Sequence, residues 1–182
     1  YKRQIVKSGK ALYVGISNYD GPTMVRAAEI LEDLKCPFVI NQNRYSIFDR
    51  TIEQNGLKKT ANQMGKGIIA FSPLAQGLLT DKYLHGIPSD SRIAVDGRFL
   101  HADALTKEKL AQIEALNKMA GERGQSLAQM ALSWILKDED VTSVLIGASR
   151  TEQIIQNVEI VQNTKFTREE LKKIDQISRG DL

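Results

Sequence analysis

An α/β fold forming part of a (β/α)8 TIM barrel is what this sequence predicts, and three observations carry that expectation. Four short runs are almost continuously apolar: residues 11–17 (ALYVGIS), 38–41 (FVIN), 67–72 (GIIAFS) and 142–147 (TSVLIG). Apolar runs without alternation mark strands covered on both faces, as in a parallel sheet. Helical periodicity follows each run, the alternation that βαβ units produce. The centres near Val14, Ile40 and Ile69 lie 26 and 29 residues apart, close to the roughly 31 per unit of a barrel of about 250 residues.

The helices can be placed in order. Pro22 suits the first turn of a helix that carries Met24, Val25, Ala27, Ala28, Ile30, Leu31 and Leu34 on one broad apolar face. The next spans about residues 50–64, with Ile52, Leu57, Ala61 and Met64, and stops at Gly65. Thr106 caps a helix bearing Leu110, Ile113, Leu116 and Met119. Three capping boxes are expected: Ser126 with Gln129, Ser149 with Glu152, and Thr167 with Glu170. The interval before the fourth strand is longer and holds a loop over residues 75–105; a loop of that length in a compact domain is usually functional or a lid.

Four strands do not close a barrel, and a four-stranded parallel sheet leaves two open edges unless a partner covers them. A flavodoxin-like sheet is the alternative, although no G-x-G-x-x-G follows the first strand, which weakens a Rossmann reading. The sequence opens with Tyr1 and runs into a basic, helix-like segment, so it reads as a chain cut from something longer.

Composition narrows the partners. With 182 residues, 42% hydrophobic and 26% charged, the chain fits one domain. The net charge of +3 is small and spread out, with no run of five like charges, so neither nucleic acid nor an acidic membrane is expected as a partner. No apolar stretch approaches the roughly 20 residues that cross a bilayer, and no signal peptide is expected. The single cysteine, Cys36, allows no internal disulfide and suits a reducing, cytoplasmic compartment as a buried thiol.

In a barrel, ligands sit at the C-terminal strand ends. Those ends read Ser17-Asn18-Tyr19, Asn41-Gln42-Asn43, Phe71-Ser72-Pro73-Leu74 and Gly147-Ala148-Ser149-Arg150. Amides, hydroxyls, an aromatic and a cation, without clustered carboxylates, suit a polar planar ligand and its phosphates better than a metal or acid–base work. Ser149 and Arg150 stand where the last strand turns into a helix, so free N–H groups, the positive dipole end and a guanidinium meet there. From spacing alone, a phosphate site and a plain helix cap with a solvated arginine are equally open.

These residues also carry a resemblance. The segments GISNY, INQNRYS, AFSPLAQGLLTDKYLHGIPSDSR and LIGASRTEQIIQNV resemble the aldo-keto reductases, within the branch that holds bacterial glyceraldehyde-3-phosphate reductases and potassium-channel β-subunits. The resemblance covers essentially all 182 residues and corresponds to the C-terminal half of that single barrel domain, about the last four βα units plus a C-terminal helix.

The resemblance implies a role for each strand end. Ser17 and Asn18 would lie near the nicotinamide carboxamide and Gln42 would hydrogen-bond it. Phe71 would stack on one nicotinamide face; apart from the resemblance it reads as core packing at a strand end. Ser72, Pro73, Leu74, Ala75 and Gln76 would pass under the pyrophosphate. Lys82 and Arg92 fall on the segment that folds over the cofactor. Gly147, Ala148, Ser149 and Arg150 would take the adenosine 2′-phosphate, favouring NADP(H), and Gln153 and Asn157 would reach the adenine.

The implied activity is NADP(H)-dependent reduction of a small carbonyl substrate, an aldehyde or ketone. The family's Asp, Tyr, Lys and His tetrad comes from the N-terminal half of the barrel, so no catalytic residue is expected here and the chain alone should be inactive without that missing half. His85 and His101 read as surface residues, Tyr13, Tyr19 and Tyr45 match no tetrad position, and Asp138, Glu139 and Asp140 read as a solvated turn. The alternative function is a cofactor-binding regulatory subunit like the channel β-subunits. No metal ligands are expected, and a homo-oligomer is left open.

Overall fold

The computed structural model describes residues 1–36, 38–89, 91–95 and 100–181, with Arg92 described by its backbone only. Four parallel strands, β1 (Val14–Ser17), β2 (Phe38–Arg44), β3 (Gly67–Phe71) and β4 (Ser143–Val144), stand in the order β1-β2-β3-β4. A doubly wound sheet reverses its strand order at a switch point. The monotonic order here excludes the flavodoxin-like alternative and is that of consecutive units in a (β/α)8 barrel.

The helices are α1 (Lys2–Lys7), α2 (Gly21–Asp33), α3 (Thr51–Gln54), α4 (Leu57–Gln63), α5 (Arg92–Val95), α6 (Lys107–Glu122), α7 (Leu127–Ile135), α8 (Thr151–Val158) and α9 (Arg168–Arg179). Strand residues Val14, Ile16, Asn41, Asn43, Ile68 and Ala70 are buried. The apolar ones join Met24, Leu57, Ala61, Leu116, Met130 and Trp134 in one core. On the other face, Gly15, Ile40, Gln42, Gly67, Ile69 and Phe71 are only half-buried. Coverage on both faces was the expectation, but these residues bury one. The second face carries Ile40 and Ile69 in the same apolar pattern without a layer over it among the described residues.

Element ends differ from expectation for local reasons. β2 runs on to Arg44, because its ladder to β3 continues through Arg44 opposite Phe71. β4 is shorter than residues 142–147, since only Ser143 and Val144 have partners in β3; Leu145 still donates its N–H to Ala70 O at 2.8 Å. The helix expected over residues 50–64 is two, broken at Gly56 with φ 78, a left-handed conformation that ends one helix and suits glycine.

Thr106, Ser126 with Gln129, and Thr167 with Glu170 cap as expected. The box expected at Ser149 with Glu152 is corrected. α8 starts one residue later, so Arg150 is the N-cap residue and Gln153, at the third helical position, folds back instead. The described residues of 75–105 are not an open loop. They carry 3-10 turns at Ala75–Gly77, Asp81–Tyr83 and Ala102–Ala104 as well as α5, and they bury Leu78, Leu79, Tyr83 and Leu100. Cys36 is a buried free thiol.

Candidate functional site

Beyond β3 the chain turns sharply. Ser72, Ala75 and Gln76 hold φ of 52, 47 and 62, left-handed values that cost a non-glycine residue about 1–2 kcal/mol each. Local bonds hold this strained turn. Ala75 N–H donates to Ser72 O at 3.0 Å, and Gly77 and Leu79 N–H both donate to Leu74 O, at 2.9 and 3.1 Å. Gln76 Nε2 donates to Ser72 Oγ at 3.0 Å, and Thr80 Oγ1 donates to Gly77 O at 2.7 Å. Strain of this kind clusters at ligand sites because surrounding structure must over-determine it.

This turn walls a groove of about 540 Å³ lined by Ser72, Pro73, Leu74, Gln76, Lys82 and Gly147 among others. A second groove of about 690 Å³ holds Leu74, Lys82, Gly147, Arg150, Gln153 and Asn157. Leu74, Lys82 and Gly147 line both, so the two form one continuous trough from the β3 turn to the start of α8. A Cβ placed on Gly147 would meet nothing within 4 Å, so the trough is open at that point.

The trough ends in donors. Ser149 N–H and Arg150 N–H point to Gln153 Oε1, at 2.8 and 3.2 Å, and Ser149 Oγ donates to the same oxygen at 3.4 Å. The Arg150 N–H belongs to the N-cap of α8 and the Ser149 N–H stands one residue ahead of it, at the end of the helix whose dipole favours an anion. The Arg150 and Lys82 side chains are exposed at the trough.

Nine of the residues singled out from sequence therefore share this trough: Ser72, Pro73, Leu74, Gln76, Lys82, Gly147, Arg150, Gln153 and Asn157. Ala75, Ala148 and Ser149 belong to the same segments without lining it. Ser17, Asn18, Gln42 and Phe71 lie outside the lining, as a separate group at neighbouring strand ends. There Ser17 Oγ and Asn18 N–H both donate to Gln42 O, at 3.0 and 2.9 Å. The Arg44 guanidinium stands 5.9 Å from the centre of the Phe71 ring. The Arg92 side chain lies outside the described residues.

Sequence reasoning missed several lining residues. Tyr83 and Ser91 are buried under the trough, and Asn117 reaches it from α6; only packing brings them there, although the Thr80 cap of the Asp81–Tyr83 turn was a legible signal. His85, expected as a plain surface residue, is exposed but stands on the wall of the second groove. Among the described residues no group of three His, Cys, Asp or Glu is placed to hold a metal.

A second polar centre lies in the helical layer. Tyr45 is fully buried, donates its hydroxyl to Glu53 Oε1 at 2.5 Å and accepts from Lys137 Nζ at 3.0 Å. Lys137 Nζ also stands 3.7 Å from the centre of the Trp134 ring, and Arg50 pairs with Glu53 and Asp175. Burial lowers Lys137 to a pKa of about 8, and burial together with the Glu53 carboxylate raises that of Tyr45. The turn at residues 138–140 is corrected from solvated to ion-paired: Lys58 Nζ reaches Asp138 at 2.6 Å and Asp140 at 3.3 Å, because α4 packs close enough to bring its lysine between them.

Comparison with known proteins adds to this geometry. The sequence profile of the Aldo/keto reductase family matches residues 3–179. An L-glyceraldehyde 3-phosphate reductase of Escherichia coli is 52% identical over 181 residues, covering 97% of this chain and 52% of that protein. A putative voltage-gated potassium channel subunit beta of Schizosaccharomyces pombe is 36% identical over 180 residues, with 96% and 52% covered. Among solved structures, a thermostable aldo-keto reductase crystallised with the inhibitor epalrestat superposes with a TM-score of 0.68 at 25% identity, covering 96% of this chain and 51% of that one. The chain thus spans about half the length of the relatives it matches.

Proposed function

Because this chain belongs to the aldo/keto reductase family, we propose that it is the nucleotide-holding half of an NADP(H)-dependent reductase acting on small aldehydes or ketones. The observation that carries this reading is the trough shared by Leu74, Lys82 and Gly147, which ends at the start of α8 beside Arg150. Its donor set fits a phosphorylated dinucleotide: a preformed turn, two cations along one wall, and backbone N–H groups at a helix start.

In this reading the Ser72–Gln76 turn supports the pyrophosphate, and Lys82 supplies positive charge above it. Arg150 and Ser149 take the 2′-phosphate in place of Gln153 Oε1, and Asn157 meets the adenine. Ser17, Asn18 and Gln42 hold the carboxamide at the strand ends, where an amide both donates and accepts, and Phe71 presents a ring face. Arg92 adds a second cation to the covering segment. When bound, NADPH supplies the hydride that reduces the carbonyl carbon. The proton for the carbonyl oxygen comes from a tyrosine of the tetrad, which this reading assigns to the first half of the barrel in the full-length protein. A cytoplasmic protein, homo-oligomeric or not, accommodates this chemistry.

NADPH oxidation by the full-length protein against a panel of aldehydes tests the proposal, with turnover expected. The 182-residue chain by itself is expected to show none. A second reading, a cofactor-bound regulatory subunit, draws support from the 36% identity to the Schizosaccharomyces pombe protein. It is favoured instead if the folded, NADPH-loaded full-length protein turns over no aldehyde or ketone.

A further inference from the structure

We propose that Asn41 and Asn43 are positioning residues for the nicotinamide end of the site, acting through the carbonyl of Tyr19; this rests on the reading above. Both asparagines lie on the buried face of β2, at 0% and 6% exposure. Both donate Nδ2–H to the same acceptor, Tyr19 O, at 3.2 and 3.3 Å. A flipped amide would set oxygen against oxygen, so the acceptor fixes the orientation of each. Their Oδ1 atoms have no hydrogen-bond partner among the described residues.

Those two orphan oxygens say what asparagine adds here. A leucine of nearly the same shape would fill the same space among Ile16, Ile68 and Ala70 without burying an unpaired oxygen. The gain from asparagine is therefore its donors, and both are aimed at one carbonyl.

That carbonyl controls the exit from β1. Asn18 sits at φ 60, a left-handed conformation that asparagine tolerates better than other non-glycine residues and that the bonds around it select. Its N–H is bound to Gln42 O at 2.9 Å, and Ser17 Oγ shares that acceptor. On the far side Asp20 caps α2 by accepting Thr23 N–H at 2.9 Å. With Tyr19 O clamped between these points, Asn18 cannot relax toward the right-handed region without breaking one of them. The asparagine pair thus locks Ser17, Asn18 and Gln42 into one unit at the strand ends, although neither asparagine meets the cofactor.

The test uses the full-length protein and two probes, NADPH and adenosine 2′,5′-bisphosphate, which shares the adenosine and 2′-phosphate but has no nicotinamide. Asn41→Leu with Asn43→Leu is expected to weaken NADPH by ~10-fold or more while the bisphosphate stays within about twofold. The single Asn43→Leu variant, which keeps one donor and guards against a folding failure of the pair, is expected to fall between. Loss of both probes in equal measure, or of neither, overturns the positioning role while wild type binds both. Wild-type protein that binds neither probe overturns the functional reading itself.

Discussion

The side-chain oxygen of Gln153 accepts the backbone N–H of Ser149 at 2.8 Å and that of Arg150 at 3.2 Å. A phosphate at the start of α8 needs the same two donors. Under the proposed function, a 2′-phosphate would have to displace the Gln153 carboxamide from this pair of N–H groups.

This competition separates stability from binding. Gln153→Glu places a carboxylate at the same position, where the helix dipole favours it by about 0.3–1 kcal/mol. A 2′-phosphate arriving there would meet like charge. Thermal unfolding is expected to show an unchanged or higher midpoint, while calorimetric titration with adenosine 2′,5′-bisphosphate shows a loss of ~10-fold or more. A variant that binds the bisphosphate as well as wild type would remove Ser149 and Arg150 from the phosphate site.

Arg150 offers a sharper contrast between cofactors. It is the N-cap residue of α8 with an exposed side chain at the trough. Arg150→Ala is expected to cost NADPH about 1.5–3 kcal/mol, the range for one hydrogen bond to a charged group. NADH, which lacks the 2′-phosphate, should be nearly unaffected. Fluorescence titration with both cofactors gives the comparison, and equal losses would sink the assignment.

The turn after β3 predicts a stabilising substitution. Ala75 holds φ 47 without glycine's freedom. Ala75→Gly is expected to raise the unfolding free energy by about 0.5–1 kcal/mol, since relief of the left-handed strain exceeds the entropy glycine adds to the unfolded chain. Gly77 at φ 102 predicts the opposite sign for Gly77→Ala. Denaturant titration of the two variants checks both.

The buried Lys137–Tyr45 pair predicts a pH optimum for stability. Lys137 has a folded pKa of about 8, below its ordinary 10.5. Between those values the unfolded chain binds a proton that the folded one does not, so stability rises with pH. Tyr45 is shifted upward from 10.0, so above pH 10 the unfolded tyrosine ionises first and stability falls. A rise of up to about 2–3 kcal/mol between pH 8 and 10 is expected, followed by a decline. Equilibrium unfolding across this range would show the rise in wild type and not in Lys137→Met.

Strand positions, three of the four expected helix caps and nine of the residues that line the trough were legible in the chain, because each depends on local chemistry. Apolar runs such as GIIAF and capping pairs such as Ser126 with Gln129 need only a few neighbours to state what they do. Packing decided what lies far apart in sequence. Lys58 meets Asp138 across 80 residues, and Gly147 shares a wall with Leu74 and Lys82. Asn41 and Asn43 reach back to Tyr19, and one face of the sheet is buried while the other is not. Periodicity records whether a side chain is apolar. It cannot record which distant side chain will supply its donor or its cover, because chain entropy and competing contacts settle that choice only when the whole core forms.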